Sequence, residues 1–437
     1  MNYFSLNNKN HKVNFKEALF NGLAPDRGLY FPEEIKPLNK SFINNLDDYD
    51  KIEISMEVIS QFIGSQIDDE SLKKIIEHSI NFEFPLKKND ENISALELFH
   101  GPSMAFKDVG ARFTSRCLSH FIRKGYDKKV TVLVATSGDT GAAVASGFHK
   151  VKGLDVFILY PKNKISNIQE KQISTFSDNI FPIEVDGTFD DCQKIVKDTL
   201  IDKDLTSNFN FTTANSINIS RWIPQTLYYF FAYSQLPSSV EKFSFSIPSG
   251  NYGNLFSAIV SKKLGLPIEN IISSNNINNP VERYFKTGVY TPMHSRETLS
   301  NAMDVGDPSN FNRINEIFDF DLEKMKDIIQ AYSFTDNDTE ETIKHLYLKF
   351  NYLCDPHGAI GYLGAKKYIN NNIGSHCIFL ETAHLYKFYN EVRNFLDVKF
   401  NVPPQLINIL NKKKNSVVIK GYYNFKQYLN LIYNKLI

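Results

Sequence analysis

Lys107 is the first residue whose type and position invite chemistry. In Gly101-Pro102-Ser103-Met104-Ala105-Phe106-Lys107-Asp108 it follows the strand-like run Ile93–Phe99. It opens a helix whose apolar positions are Phe106, Val109, Phe113, Cys117 and Phe121. A cation in the first helical turn opposes the helix dipole, which favours acids there. Such a conflict with local preference often marks function. A desolvated amine at a helix start would have a lowered pKa and could form a Schiff base. The plain alternative is a solvated lysine paired with Asp108.

Two glycine turns come next. Thr136-Ser137-Gly138-Asp139-Thr140-Gly141 and Ser249-Gly250-Asn251-Tyr252-Gly253-Asn254 each follow a strand pattern and precede a helix pattern. Successive backbone N–H groups at a helix N-terminus make an anion site. The second turn is neither a Walker A sequence nor G-x-G-x-x-G, so it gives little support to nucleotide hydrolysis. Either turn alone could merely reverse the chain, with Ser, Thr and Asp as caps. Two on separate lobes suggest a ligand lying between them, because open α/β sheets bind at the carboxyl ends of their strands. Asn215, Ser216 and Arg221, within Thr213–Arg221, add amide, hydroxyl and guanidinium donors near one helix start, and Arg suits bidentate phosphate recognition. Thr382 follows the strand pattern Cys377–Leu380, where ligand-facing residues of a parallel sheet emerge.

These groups need a scaffold. Val130–Ala135, Leu154–Tyr160 and Ile180–Val185 are near-continuous apolar runs separated by helical patterns over Ile165–Phe176 and Asp190–Leu200. A second set comprises Phe243–Ile247, Ile271–Ser274 and Cys377–Leu380. Strands buried on both faces and alternating with helices predict βαβ units and parallel sheets. The polar break Lys87–Asn92 reads as a domain edge. The expected architecture is α/β: a smaller N-terminal α+β domain over 1–92, a large α/β lobe from 93–106 and 225–437, and a small α/β lobe over 107–224.

Composition narrows the function classes. The 437 residues are 42% apolar and 22% charged, ordinary for a globular chain and unlike a disordered one. Lys+Arg and Asp+Glu are both 49, which argues against a nucleic-acid grip. No apolar run reaches the roughly 18–20 residues that span a bilayer, and Met1–Asn14 has no apolar core for export. Cys117, Cys192, Cys354 and Cys377 are widely separated, which makes structural zinc or a disulfide framework unexpected. The expected location is the cytoplasm, with no metal and no membrane.

Taken in order along nearly the whole chain, these segments resemble threonine synthase, a pyridoxal-phosphate family of the tryptophan-synthase-β group (fold type II). The likeness begins at Gly22-Leu23-Ala24-Pro25-Asp26-Arg27-Gly28-Leu29-Tyr30-Phe31-Pro32. It runs through Gly101–Gly110, Ala135–Ala143, Leu159–Gln172, Thr213–Arg221, Pro248–Gly253, Leu299–Asp304, Asp355-Pro356-His357 and Thr382-Ala383-His384. The resemblance implies that Lys107 forms the internal aldimine with pyridoxal 5'-phosphate and acts as the catalytic base. By the same resemblance Gly250, Asn251, Tyr252 and Gly253 cradle the cofactor phosphate, Thr382 faces the pyridine nitrogen and Asp139 lies near the ring hydroxyl. Ser137, Gly138 and Thr140 take the substrate α-carboxylate. Asn215, Ser216 and Arg221, helped by Lys162 or Lys164, hold the substrate phosphate. The implied reaction converts O-phospho-L-homoserine and water to L-threonine and phosphate, the last step of threonine biosynthesis.

A related phospho-amino-acid lyase or dehydratase is the enzyme alternative. A binding module that has lost its cofactor is the non-enzymatic one. Whether the chain is a monomer or a homodimer stays open. Arg27, Tyr252, Asn254 and Glu381 depart from the family pattern, and strand alternation predicts that Glu381 faces away from Thr382.

Overall fold

The computed structural model describes residues 1–126 and 129–436, the side chains of 434–436 excepted. Its largest sheet has six strands in the order Ile329–Ser333, Ile268–Asn275, Phe243–Pro248, His376–Glu381, Ile93–Glu97 and Leu86–Asp90. The first five are parallel and the last is antiparallel to its neighbour. A second sheet has five parallel strands: Val417–Ile419, Ile180–Val185, Leu154–Pro161, Val130–Ala135 and Asn210–Thr213. A small antiparallel sheet of Asn8–Asn14, Asn2–Ser5 and Tyr30–Pro32 belongs to the N-terminal part.

The apolar runs became strands because both of their faces are covered. Val130–Ala135 and Leu154–Pro161 are buried at every residue. Alternate side chains enter different cores. Val130, Val132 and Val134 join Ala143 and Phe148 on one side, and Leu133 and Ala135 join Cys192 and Ile195 on the other. A two-residue period on each face thus hides inside a run that is apolar throughout.

Helix Lys107–Arg123 is buried on nearly all sides, since it runs between helices Asp69–Ser79 and Asp139–Phe148. The N-terminal part docks on the larger lobe through an aromatic chain in which Trp222 meets Phe62 at 5.5 Å and Phe256 at 4.9 Å, both edge-on.

Two boundaries differ from the sequence expectation. Leu86–Asp90, expected at the end of the N-terminal domain, forms the edge of the six-stranded sheet. The segment 417–436, expected in the larger lobe, closes the five-stranded sheet instead. Val417–Ile419 pairs in parallel with Ile183–Val185. Phe425 and Leu429 of helix Gly421–Leu436 are buried in the core of that lobe, and Lys426 bonds to Asp202 at 2.7 Å. The cause is apolar: the Leu133 and Phe157 face of that sheet needs a cover that helix Phe189–Ile201 supplies only in part.

Among the described residues no helix is long and apolar enough to cross a membrane. No group of His, Cys, Asp and Glu among them could hold a metal ion.

Candidate active site

Three helices begin around one cavity of about 110 Å³ between the two larger sheets: Lys107–Arg123, Asp139–Phe148 and Gly253–Lys263. Their N-termini give it a positive field that suits anions. Lys107, Ser137, Asp139, Thr140, Asn215, Ser216, Arg221, Gly250, Asn251, Tyr252, Gly253 and Thr382 all line it. A larger outer cavity of about 730 Å³ adjoins it, sharing Phe189, Gln193, Asn215, Asn251 and Val305.

Lys107 and Thr382 come together through the backbone. The Phe106 N–H donates to the Thr382 carbonyl at 2.9 Å, and Ala105 bridges Ala383. The Lys107 amine has no carboxylate within ion-pairing distance among the described residues. Burial lowers its pKa to about 8, as do the charges of Arg221 and Lys387, while Asp139 pulls the other way. A much larger fraction of this amine is neutral near pH 7 than of an ordinary lysine.

The second glycine turn is a preformed anion cradle. Among the described residues the backbone N–H groups of Gly250, Asn251, Tyr252, Gly253 and Asn254 have no protein acceptor. Tyr252 adopts a left-handed backbone, φ +61°. Its hydroxyl donates to Asn275 Oδ1 at 2.6 Å and accepts from Ser273 Oγ at 3.0 Å, which fixes the turn from below. At Gly250 a Cβ would lie 2.8 Å from the Ala302 carbonyl oxygen and 2.9 Å from Met303 Cα, so only glycine fits. Asn251 ties the turn to its surroundings, donating to Ser216 Oγ at 2.7 Å and accepting from Ser309 N–H at 2.6 Å.

Arg221 is buried against Gly110, where a Cβ would meet its Nε at 3.0 Å. One guanidinium nitrogen donates to the Ala214 carbonyl, while Nε has no partner among the described residues. Burial lowers its pKa to about 10, against the charge of Asp108, so it stays cationic at neutral pH with no carboxylate within ion-pairing distance among the described residues. A buried guanidinium with a free donor is a site for an anion.

Some expected contacts fall elsewhere. Asn215 spends its amide on the Ala135 backbone, accepting from the N–H at 3.1 Å and donating to the carbonyl at 2.7 Å. It braces the end of strand Val130–Ala135. Gly138 lies behind the cavity wall: its N–H donates to Thr136 Oγ1 at 2.9 Å, and a Cβ there would strike Gln169 at 2.4 Å. Lys164 pairs with Glu297 at 2.5 Å on the surface, and neither it nor Lys162 lines the cavity. Glu381 does face away from Thr382. It accepts from the Asp355 N–H at 2.7 Å and binds Cys354 Sγ at 2.9 Å. Burial and the charge of Asp355 raise its pKa well above the carboxylate range.

Two residues went unassigned at the sequence level. His357 lines the cavity, with Nδ1 2.5 Å from Asp355 Oδ1. The Ala302 N–H donates to its Nε2 at 3.2 Å, which puts the ring proton on Nδ1. Lys387 is fully buried, 2.6 Å from Asp139 Oδ1. The only available signal for it was a lysine set between the apolar Leu385 and Phe388.

The residues present suit a phosphorylated aldehyde cofactor: an uncommitted amine, a cradle of free N–H donors and a hydroxyl at Thr382 surround one enclosed space. Comparison with known proteins agrees. Residues 84–377 match the family described as pyridoxal-phosphate dependent enzyme, residues 2–80 match threonine synthase N terminus and residues 358–428 match threonine synthase, C-terminal. A threonine synthase of Buchnera aphidicola (subsp. Acyrthosiphon pisum) is 41% identical over 413 residues, covering 93% of this chain and 94% of that one. The chain belongs to the threonine synthase family.

Solved structures of the family superpose closely. Threonine synthase from Escherichia coli matches with a TM-score of 0.94 at 35% identity, covering 99% of this chain and 100% of that one. The pyridoxal-phosphate-bound threonine synthase from Brucella melitensis matches with a TM-score of 0.90 at 31% identity, covering 98% of each. The threonine synthase fold, two α/β lobes with a smaller N-terminal part, is therefore that of this chain, and its cofactor is pyridoxal phosphate.

Proposed function

We propose that this lyase converts O-phospho-L-homoserine and water to L-threonine and phosphate, with Lys107 as cofactor attachment point and proton carrier. The single observation that carries this reading is the Lys107 amine, unpaired among the described residues and lining one cavity with free anion donors from two lobes. When bound, pyridoxal phosphate supplies the electron sink for charge developing at the substrate Cα. The backbone donors of Gly250–Gly253 would hold its phosphate, with Thr382 available to its ring nitrogen and Asp139 to its ring hydroxyl.

Ser137 and Thr140, at the N-terminus of helix Asp139–Phe148, take the substrate carboxylate, with Gly138 letting the turn close on Gln169. Arg221 holds the substrate phosphate and stabilises the charge on its oxygens as the Cγ–O bond breaks. Ser216 and Asn215 serve that end of the site through position, because their polar atoms are bonded to Asn251 and Ala135. The neutral Lys107 amine removes the proton from Cα and then moves one from Cβ. A proton is delivered to Cγ, which becomes the product methyl, water adds at Cβ to give the product hydroxyl, and a proton returns to Cα.

The cofactor lobe is the six-stranded sheet with its helices, and the small lobe is the five-stranded sheet with 417–436. Four free, buried cysteines suit a reducing cytoplasm. The test is incubation of cofactor-loaded protein with O-phospho-L-homoserine. Threonine and phosphate should appear in equal amounts, whereas 2-oxobutyrate with ammonia would assign the chain to a sibling dehydratase or phospho-amino-acid lyase.

A further inference from the structure

Two buried amines and one carboxylate share the wall of the cavity. Asp139 Oδ1 lies 2.6 Å from Lys387 Nζ and also accepts from Gln169 Nε2 at 3.0 Å. Lys387 has no exposed surface, and its remaining bond is to the Ser103 carbonyl at 3.1 Å. That carbonyl belongs to the loop that leads into Lys107, and Gln172 also donates to it at 2.9 Å. Asp139 Oδ2 has no hydrogen-bond partner among the described residues, and Asp139 lines the cavity with Lys107.

A buried carboxylate must have a counter-ion or become protonated. The charged groups around Asp139 are Lys387 and Lys107, and the imidazole of His357 also faces it. Those around Lys107 are Asp139, Arg221 and Lys387. Without Lys387, the remaining lysine whose charge acts on Asp139 would be Lys107, the residue whose lone pair the chemistry needs. An amine locked in an ion pair is protonated and does not attack an aldehyde.

We propose that Lys387 is a positioning residue that serves as the buried counter-ion of Asp139, leaving the Lys107 amine uncommitted and able to condense with the cofactor aldehyde. This rests on the reading of Lys107 as the attachment point. It extends that reading by assigning a role to a lysine that touches neither cofactor nor substrate.

The test follows capture of pyridoxal phosphate by apoprotein as a function of pH, with the product trapped by borohydride and mapped to Lys107. In wild type the capture rate should climb to a plateau above about pH 8. In Lys387→Met the midpoint should move up by about one unit or more, which makes capture at pH 7 about tenfold slower. Lys387→Arg should restore it. Lys387→Gln, which keeps a donor for the Ser103 carbonyl but carries no charge, should shift the midpoint upward as Lys387→Met does.

An unchanged midpoint in Lys387→Met or Lys387→Gln would overturn the proposal, as would a Lys387→Arg variant whose midpoint stays shifted. If Lys387→Met does not fold, Lys387→Gln decides. A raised midpoint in Lys387→Gln that Lys387→Arg does not share supports the pairing, whereas a wild-type midpoint refutes it. Failure of wild type to label at Lys107 would instead sink the attachment reading itself, so the two failures are distinguishable.

Discussion

Lys107 sits where its charge is unwelcome on three counts: a helix N-terminus, an enclosed cavity, and two neighbouring cations in Arg221 and Lys387. Replacing it with Ala should abolish turnover, while urea denaturation should show stability unchanged or slightly raised, because no ion pair is lost. Gly250→Ala should place a methyl against Ala302 and Met303. Overpacking of about 1–3 kcal/mol should appear as a fall in cofactor affinity of about tenfold or more, read by equilibrium titration. Arg221→Ala should remove a charged contact of about 1.5–3 kcal/mol, raising KM for O-phospho-L-homoserine while inhibition by unphosphorylated homoserine barely changes.

At this scale the sequence was readable where a residue breaks a local rule. Lys107 at a helix start and Gly250 in a strand–turn–helix are examples. It was unreadable where tertiary contact decides. The donors of Asn215 are legible, but their commitment to Ala135 is not. Lys387 reads as a surface lysine until the Ser103 loop closes over it.

The elements that were legible are those with a core on both sides. Val130–Ala135 and Ile180–Val185 coincide with their apolar runs to the residue, and helix Lys107–Arg123 begins at the residue its dipole conflict marked. Those that escaped are edges. Leu86–Asp90 carries Lys87 and Lys88 because one of its sides faces water, so it reads as a polar break. Val417–Ile419 has only three residues, too few to show any period. Helix Gly421–Leu436 has an apolar stripe, but the sequence does not tell which lobe the stripe covers. Phe425→Ala tests its docking. Loss of a fully buried aromatic should destabilise the protein by about 3–5 kcal/mol in a denaturant titration. The cofactor-binding site lies on other elements and should keep its ligand affinity in the folded fraction.

At the scale of the molecule, the site exists only because two sheets and a looped connection meet. Lys107 and Thr382 are joined by the Phe106 N–H to Thr382 bond, and Ser216 of the connection holds Asn251 of the cofactor turn. Cofactor binding should therefore stabilise the whole molecule. At a concentration about 100 times its Kd the gain is about 2.7 kcal/mol, visible as a rise in Tm that Gly250→Ala largely abolishes.

The attachment itself admits a more direct measurement. Cofactor-loaded active protein is reduced with borohydride, digested and mapped by mass spectrometry. The reduced cofactor should be found on Lys107, in proportion to the activity lost. Label on another lysine, or active protein left unlabelled at Lys107, would contradict the account.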